Sequence, residues 1–245
     1  MTQLSININK VALLRNSRGR NYPDVVAFAR RCLELGAKGI TLHPRPDQRH
    51  ARYSDVHELG LLCAEFGVEL NVEGYPTEEF MQVVLAAKPA QCTLVPDAPD
   101  QLTSDHGWDL QGQAELLRPI LAQLQAAGIR SSLFVDYDNF DLSFARELGA
   151  DRVELYTEPY AETHGLASQA TIWQGFASAA QRAKAAGLGV NAGHDLNLEN
   201  LADFLQIPGI EEVSIGHAVI AESLWHGIES VIPRYVAICQ NAAKA

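Results

Sequence analysis

Gly39-Ile40-Thr41-Leu42-His43, Leu70-Asn71-Val72-Glu73, Arg152-Val153-Glu154-Leu155-Tyr156, Val190-Asn191-Ala192-Gly193-His194 and Val213-Ser214-Ile215-Gly216-His217 are five apolar runs that each break off at an ionisable residue. Read as buried parallel strands, they set their closing side chains at one common end of a barrel. Enzymes of that architecture keep their chemistry at this end.

The pattern extends outward from these runs. Strands are expected at 4–9, 38–43, 68–73, 91–95, 130–136, 151–156, 188–192 and 212–216. Helical periodicity fills the intervals, near 22–35, 54–66, 77–87, 111–127, 139–148, 168–186, 198–204 and 218–240. Asn21-Tyr22-Pro23-Asp24 and Thr77-Glu78-Glu79 read as helix starts. Parallel strands need crossover connections, usually helices, so eight such pairs predict a (β/α)8 TIM barrel, an α/β fold with its site at the C-terminal ends of the strands. Glycines at 36, 67, 128, 149 and 187 fall where a helix stops and the next strand begins. Gly closes a helix through the left-handed conformation, which marks these turns as the opposite, stabilising face.

The chain has 245 residues, 47% hydrophobic and 20% charged, close to an ordinary globular protein. One barrel of roughly 250 residues accounts for it as a single domain, 1–245. A net charge of -11 argues against a nucleic-acid or anionic-membrane surface, while leaving anionic small molecules open to a local cluster of cations. The amino terminus lacks the features of a signal peptide and no run of about 18 apolar residues occurs, so a cytoplasmic protein is expected. Cys32, Cys63, Cys92 and Cys239 form no C-x-x-C pair and read as buried reduced thiols.

Four constellations carry potential chemistry. In His43-Pro44-Arg45-Pro46-Asp47-Gln48-Arg49-His50, leaving strand two, guanidinium forks and imidazoles on a proline-stiffened path suit a phosphate or carboxylate. A solvated basic loop is the bland alternative. Glu73 closes strand three, where partial desolvation raises a carboxylate toward neutrality and suits it to general-base work. Glu154 is expected to point inward with still less water, either paired with Lys10 or Arg45 or functional. His194, in Gly193-His194-Asp195, suits proton transfer near pH 7, the alternative being a helix cap. Gly216-His217 opens the last helix, whose free N–H groups form an anion site; a simple Gly turn is the alternative. Asn7, Asn9 and Lys10 would reach the same mouth from strand one, with Arg18 on the loop beyond. Pro96–Trp108 is the longest loop, a candidate lid. Histidines 57, 106, 164 and 226 read as solvated. No metal-ligand spacing and no Gly-rich nucleotide motif occurs.

Arg15-Asn16-Ser17-Arg18-Gly19, Gly39 to His43 with Arg45, Arg49 and His50, Asn71-Val72-Glu73, Lys88-Pro89 through Val95-Pro96, Glu154 with Tyr160-Ala161, Val190 to His194 and Ile215 to Ala218 follow one another in a recognisable order. Together they resemble the pyridoxine 5′-phosphate synthases of the deoxyxylulose-dependent vitamin B6 pathway, over nearly the whole chain. The resemblance implies condensation of 1-deoxy-D-xylulose 5-phosphate with 3-amino-2-oxopropyl phosphate, releasing phosphate and water, with no metal or organic cofactor. It implies His43 and Glu73 as proton acceptors and His194 as proton donor. It implies that Asn7, Gly216, His217 and the Asp195 backbone hold the amino-ketone phosphate, with help from Arg18. Arg45, His50 and Thr103 would hold the deoxyxylulose phosphate. A homo-oligomer, an octamer, is implied in the same way.

Three departures stand out: Asn9-Lys10 where the family has Asp-His, Tyr156-Thr157-Glu158 where it has His-Thr-Gly, and Asp195 where it has Gly. They leave the acid/base set intact and put substrate affinity in question. The rival readings are another phosphosugar isomerase or aldolase on the same barrel, and a barrel that binds phosphometabolites without turnover. A Schiff-base aldolase would need a strand-end Lys, and only Lys10 lies near the mouth.

Overall fold

The computed structural model describes residues 1–97, 101 and 104–242. Eight parallel strands close into one barrel in sequence order: β1 (Gln3–Asn7), β2 (Gly39–Leu42), β3 (Glu69–Gly74), β4 (Gln91–Leu94), β5 (Arg130–Val135), β6 (Arg152–Tyr156), β7 (Gly189–Gly193) and β8 (Ile210–Ile215), with β8 pairing back to β1. Around them run α1 (Asn9–Asn16), α2 (Val25–Glu34), α3 (Tyr53–Phe66), α4 (Glu78–Ala87), α5 (Ala114–Ala126), α6 (Ser143–Leu148), α7 (Glu158–Thr163), α8 (Gln169–Ala185), α9 (Leu201–Phe204), α10 (His217–His226) and α11 (Ile228–Asn241). The expected (β/α)8 architecture is the observed one.

Local chemistry explains the boundaries. Asp24 and Thr77 accept N–H bonds from Ala27 and Phe80 and so cap α2 and α4. The five glycines expected at helix ends all take positive φ. All four cysteines are buried free thiols.

Three differences from expectation have a clear local cause. Strand one stops at Asn7 rather than Asn9, because Asn7 Oδ1 accepts the Asn9 N–H at 3.0 Å and turns the chain into α1. A short helix, α7, follows β6 with Pro159 in its first turn. The single helix expected over 218–240 is two, because Gly227 at φ 74° breaks it.

The apolar half of each strand faces the helices. Leu4, Ile6, Ile40, Leu42, Leu70, Val72, Leu133, Val153, Leu155, Val190 and Val213 join the helix side chains in one core between sheet and helices. The other half faces the barrel axis and is polar. Gln91 on β4 reaches across to Glu212 on β8 at 3.4 Å, and Asn191 on β7 reaches Gln91 at 3.3 Å. Ser5 and Thr41 share a hydrogen bond of 2.6 Å. Barrel interiors are more often filled by Val, Ile and Leu. Here the apolar core is an annulus, and the axis carries hydrogen bonds.

Candidate active site

Among the described residues, six of the eight strands deliver an expected site residue at or just past their C-terminal ends, or in the loop beyond. Asn7 ends β1 and donates from Nδ2 to Glu73 Oε2 at 3.3 Å. Asn9, one turn further, accepts the backbone N–H of His43 on Oδ1 at 2.9 Å, which locks the exit of β2. The loop from His43 to His50 is clamped from outside the site. Asn16 Nδ2 donates to the carbonyls of Gln48, Arg49 and His50, and the buried Arg15 forks onto Asp55 at 2.7 and 2.9 Å while also reaching the His50 carbonyl. Breaking such a buried pair costs about 3–5 kcal/mol, so this loop is rigidly held.

Inside that frame the protonation states follow from burial. His43 is buried, and desolvation, with Arg45, His50 and Arg49 adding to it, drives its pKa well below the usual value. His50 falls to about 4 by burial and then by Arg45 and Arg49. Both rings are neutral at pH 7 and able to accept a proton. Their centroids lie 6.1 Å apart, edge to face.

The carboxylates move the other way. Burial, then the neighbouring Glu154, Glu212 and Asp97 carboxylates, raise Glu73 well above its ordinary value. Glu154 rises to about 8, by burial and then by Glu212. Neither Lys10 nor Arg45 meets Glu154; its contact is Thr93 Oγ1 at 3.4 Å. Thr93 has one hydroxyl hydrogen yet also faces Asn71 Oδ1 at 3.0 Å, and a proton on Glu154 supplies the missing donor.

His194 leaves β7 at φ 95°, packs its ring on Tyr156 with centroids 5.2 Å apart, and has Asp195 Oδ2 3.9 Å from Nε2. Burial lowers its pKa, partly offset by Asp195 and Asp97 and reinforced by Lys10 and His217. Asp195, also at positive φ, is half-exposed and does not pair with Lys10. Gly216 lies against β1: a Cβ there would stand 2.9 Å from the Asn7 carbonyl and 3.0 Å from Asn7 Cβ. Its φ is unremarkable, so close approach is what requires Gly. His217 is exposed at the start of α10, where first-turn N–H groups stand free.

Two expected residues stand apart. Lys10 is exposed, though its charge bears on His50 and His194. Arg18 is exposed beyond α1, its backbone N–H on the Arg15 carbonyl, and within this chain it is not drawn into the pocket. Thr103 lies outside the described residues.

Asp97, just past β4, is the site residue that sequence reasoning missed. It is buried, paired with Arg45, and held on the same oxygen by Ser104 Oγ at 2.9 Å. Its signal was slight, one Asp in a loop of several. Beyond it Trp108 is buried and donates from Nε1 to the Leu94 carbonyl at 2.8 Å, so the far end of the expected lid is anchored. Gly107 is essential there, since a Cβ would lie 2.4 Å from the Asp136 nitrogen.

Known proteins share this chain's sequence as well as its fold. The family model described as pyridoxal phosphate biosynthesis protein PdxJ matches residues 4–241. A pyridoxine 5′-phosphate synthase from Xanthomonas axonopodis pv. citri is 52% identical over 98% of this chain and 97% of its own length. One from Parabacteroides distasonis is 51% identical over 99% and 100%. Among solved structures, thiamine phosphate pyrophosphorylase from Pyrococcus furiosus superposes with a TM-score of 0.63 at 16% identity, covering 98% of this chain and 96% of that one. Phosphoribosylanthranilate isomerase from Thermotoga maritima does so at 0.58 and 15%, covering 98% and 99%. At such identities these structures share the barrel only.

Proposed function

This chain belongs to the family of pyridoxal phosphate biosynthesis protein PdxJ, and from that membership we infer that it is a pyridoxine 5′-phosphate synthase. It would condense 1-deoxy-D-xylulose 5-phosphate with 3-amino-2-oxopropyl phosphate. The observation that carries a catalytic rather than a merely binding role is the proton inventory of the mouth. Burial pushes the His43 and His50 rings toward the neutral form, and it raises two carboxyl groups, Glu73 well above its ordinary value and Glu154 to about 8.

That inventory refines the expected roles. In the substrate-free site burial favours the neutral form of His43 and His194 and the protonated form of Glu73. Bound phosphate dianions would raise His194 and make it a donor. The iminium formed when amine meets ketone would lower Glu73, making it an acceptor once carbon deprotonation is due. Substrate charge thus sets the polarity of proton transfer. Asn7 positions the Glu73 carboxyl, and Glu154 is its electrostatic neighbour. Arg45 and His50 would hold one phosphate, and the first turn of α10 at Gly216-His217 the other, with Asn7, Lys10 and the Asp195 backbone beside it. Asp195 and Glu158 add negative charge here, and Glu158 is itself raised by burial and by Asp195. Asn9 and Lys10 would serve where the family has Asp-His.

The same reading includes cytoplasmic location and a homo-oligomer. No helix among the described residues is long and apolar enough to cross a membrane, and Leu224 and Trp225 on α10 are exposed. Purified protein mixed with both substrates should produce the absorbance of pyridoxine phosphate. Measurable ligand binding without product at micromolar enzyme would instead mark a non-catalytic barrel.

A further inference from the structure

The Arg45 guanidinium does not stand open. It is paired to Asp97, with the two side chains only 4% and 2% exposed. Ser104 Oγ fixes the shared Asp97 oxygen at 2.9 Å. The second oxygen, Oδ1, is buried and has no hydrogen-bond partner among the described residues. Arg45 and Asp97 line one small hollow with His43, Tyr75 and Thr77, next to the acid/base groups. Asp97 also acts on both Glu73 and His194 through its charge.

Carboxylate and phosphate engage a guanidinium with the same planar, forked geometry, so they compete for one edge of Arg45. We propose that Asp97 is a specificity-determining residue, a built-in anion that occupies Arg45 until the phosphate ester of a substrate displaces it. A dianionic phosphate outbids a carboxylate for that fork electrostatically, whereas a monoanionic group of the substrate's own size does not. Displacement leaves Asp97 as a buried charge without its cation, so it must shift together with its Ser104 contact. This rests on the reading that Arg45 holds a phosphate.

The test compares Asp97→Asn, Asp97→Ser and Arg45→Ala, each checked for folding by circular dichroism, in steady-state assays with the amino ketone saturating. Removing the competitor should lower the KM for deoxyxylulose phosphate roughly tenfold in Asp97→Asn. It should also strengthen inhibition by acetate, a carboxylate for which Asp97 would compete in the wild type. Arg45→Ala should raise that KM at least tenfold. If Asp97→Asn and Asp97→Ser raise the KM while Arg45→Ala does the same, Asp97 merely orients Arg45 and the competition is overturned. Unchanged KM in the Asp97 variants overturns it too. Unchanged KM in Arg45→Ala would overturn the phosphate assignment itself. Should Asp97→Asn fail to fold, Asp97→Ser decides by the same sign.

Discussion

The two ends of the barrel interior are built from the same residue types and behave differently. At the N-terminal end Glu69 pairs with Arg130, Glu211 pairs with Arg152 at 2.7 Å, and the same two guanidinium groups donate to Gln91 and Asn191. Gln91 and Asn191 in turn surround Glu212. Burial raises Glu212 to about 7, and the two arginines restrain it. At the C-terminal end Glu73 and Glu154 have one amide and one hydroxyl, and the nearest guanidinium, Arg45, is engaged by Asp97. Cations pair with the lower carboxylates, whereas among the described residues no cation pairs with Glu73 or Glu154, which leaves their protons free to move. Stability and chemistry thus divide along the barrel axis.

The largest effect that would break this contrast lies at the top. Glu73→Gln should cut kcat by about 10²- to 10⁴-fold while leaving phosphate binding largely unchanged. Equal loss of turnover and binding, measured by steady-state kinetics and titration calorimetry, would make Glu73 a binding group. At the bottom, Arg130→Met removes an ion pair and a bond to Gln91. It should cost about 1–3 kcal/mol in urea unfolding, with kcat nearly unchanged. A drop in kcat as large as that of Glu73→Gln would erase the division between the ends.

The subtlest test is pH-dependent. Glu154 sits at about 8 against an ordinary 4.5, so the native state holds a proton that the unfolded chain has lost between those values. Its contribution is full below about 4.5 and fades as pH rises through about 8. Glu154→Gln cannot titrate. Its melting temperature relative to wild type should therefore climb by a few degrees from pH 5 to pH 9. A constant offset would mean that Glu154 is ionised throughout.

This division was partly legible in the sequence. Ser5 and Asn7, Thr41 and His43, Asn71 and Glu73, Gln91 and Thr93, Glu154 and Tyr156, and Glu212 and Ser214 already alternate with apolar residues. Period two says that the faces differ. It does not say which faces in, and the usual rule of polar side chains toward solvent is inverted when helices cover the outside. The strand ends at His43, Glu73, His194 and Gly216 were readable because a buried run must stop where polarity begins. Asp97, Arg15 and Asp55 were not, because their partners are 52 and 40 residues away and only folding brings them together. Helix α1 was hidden in what read as the tail of strand one, since the Asx turn that starts it needs just Asn7 and Asn9.

The contrast between the two ends rests on upper carboxyl groups that hold protons at neutral pH. Infrared titration of the substrate-free protein tests it directly, through the carbonyl stretch of protonated carboxylic acid. The stretch should persist at pH 7, lose intensity in Glu73→Gln and in Glu154→Gln, and lose the Glu154 share in wild type as pH passes about 8. Its absence at pH 7 in wild type would show that both groups rest as carboxylates and would contradict the account.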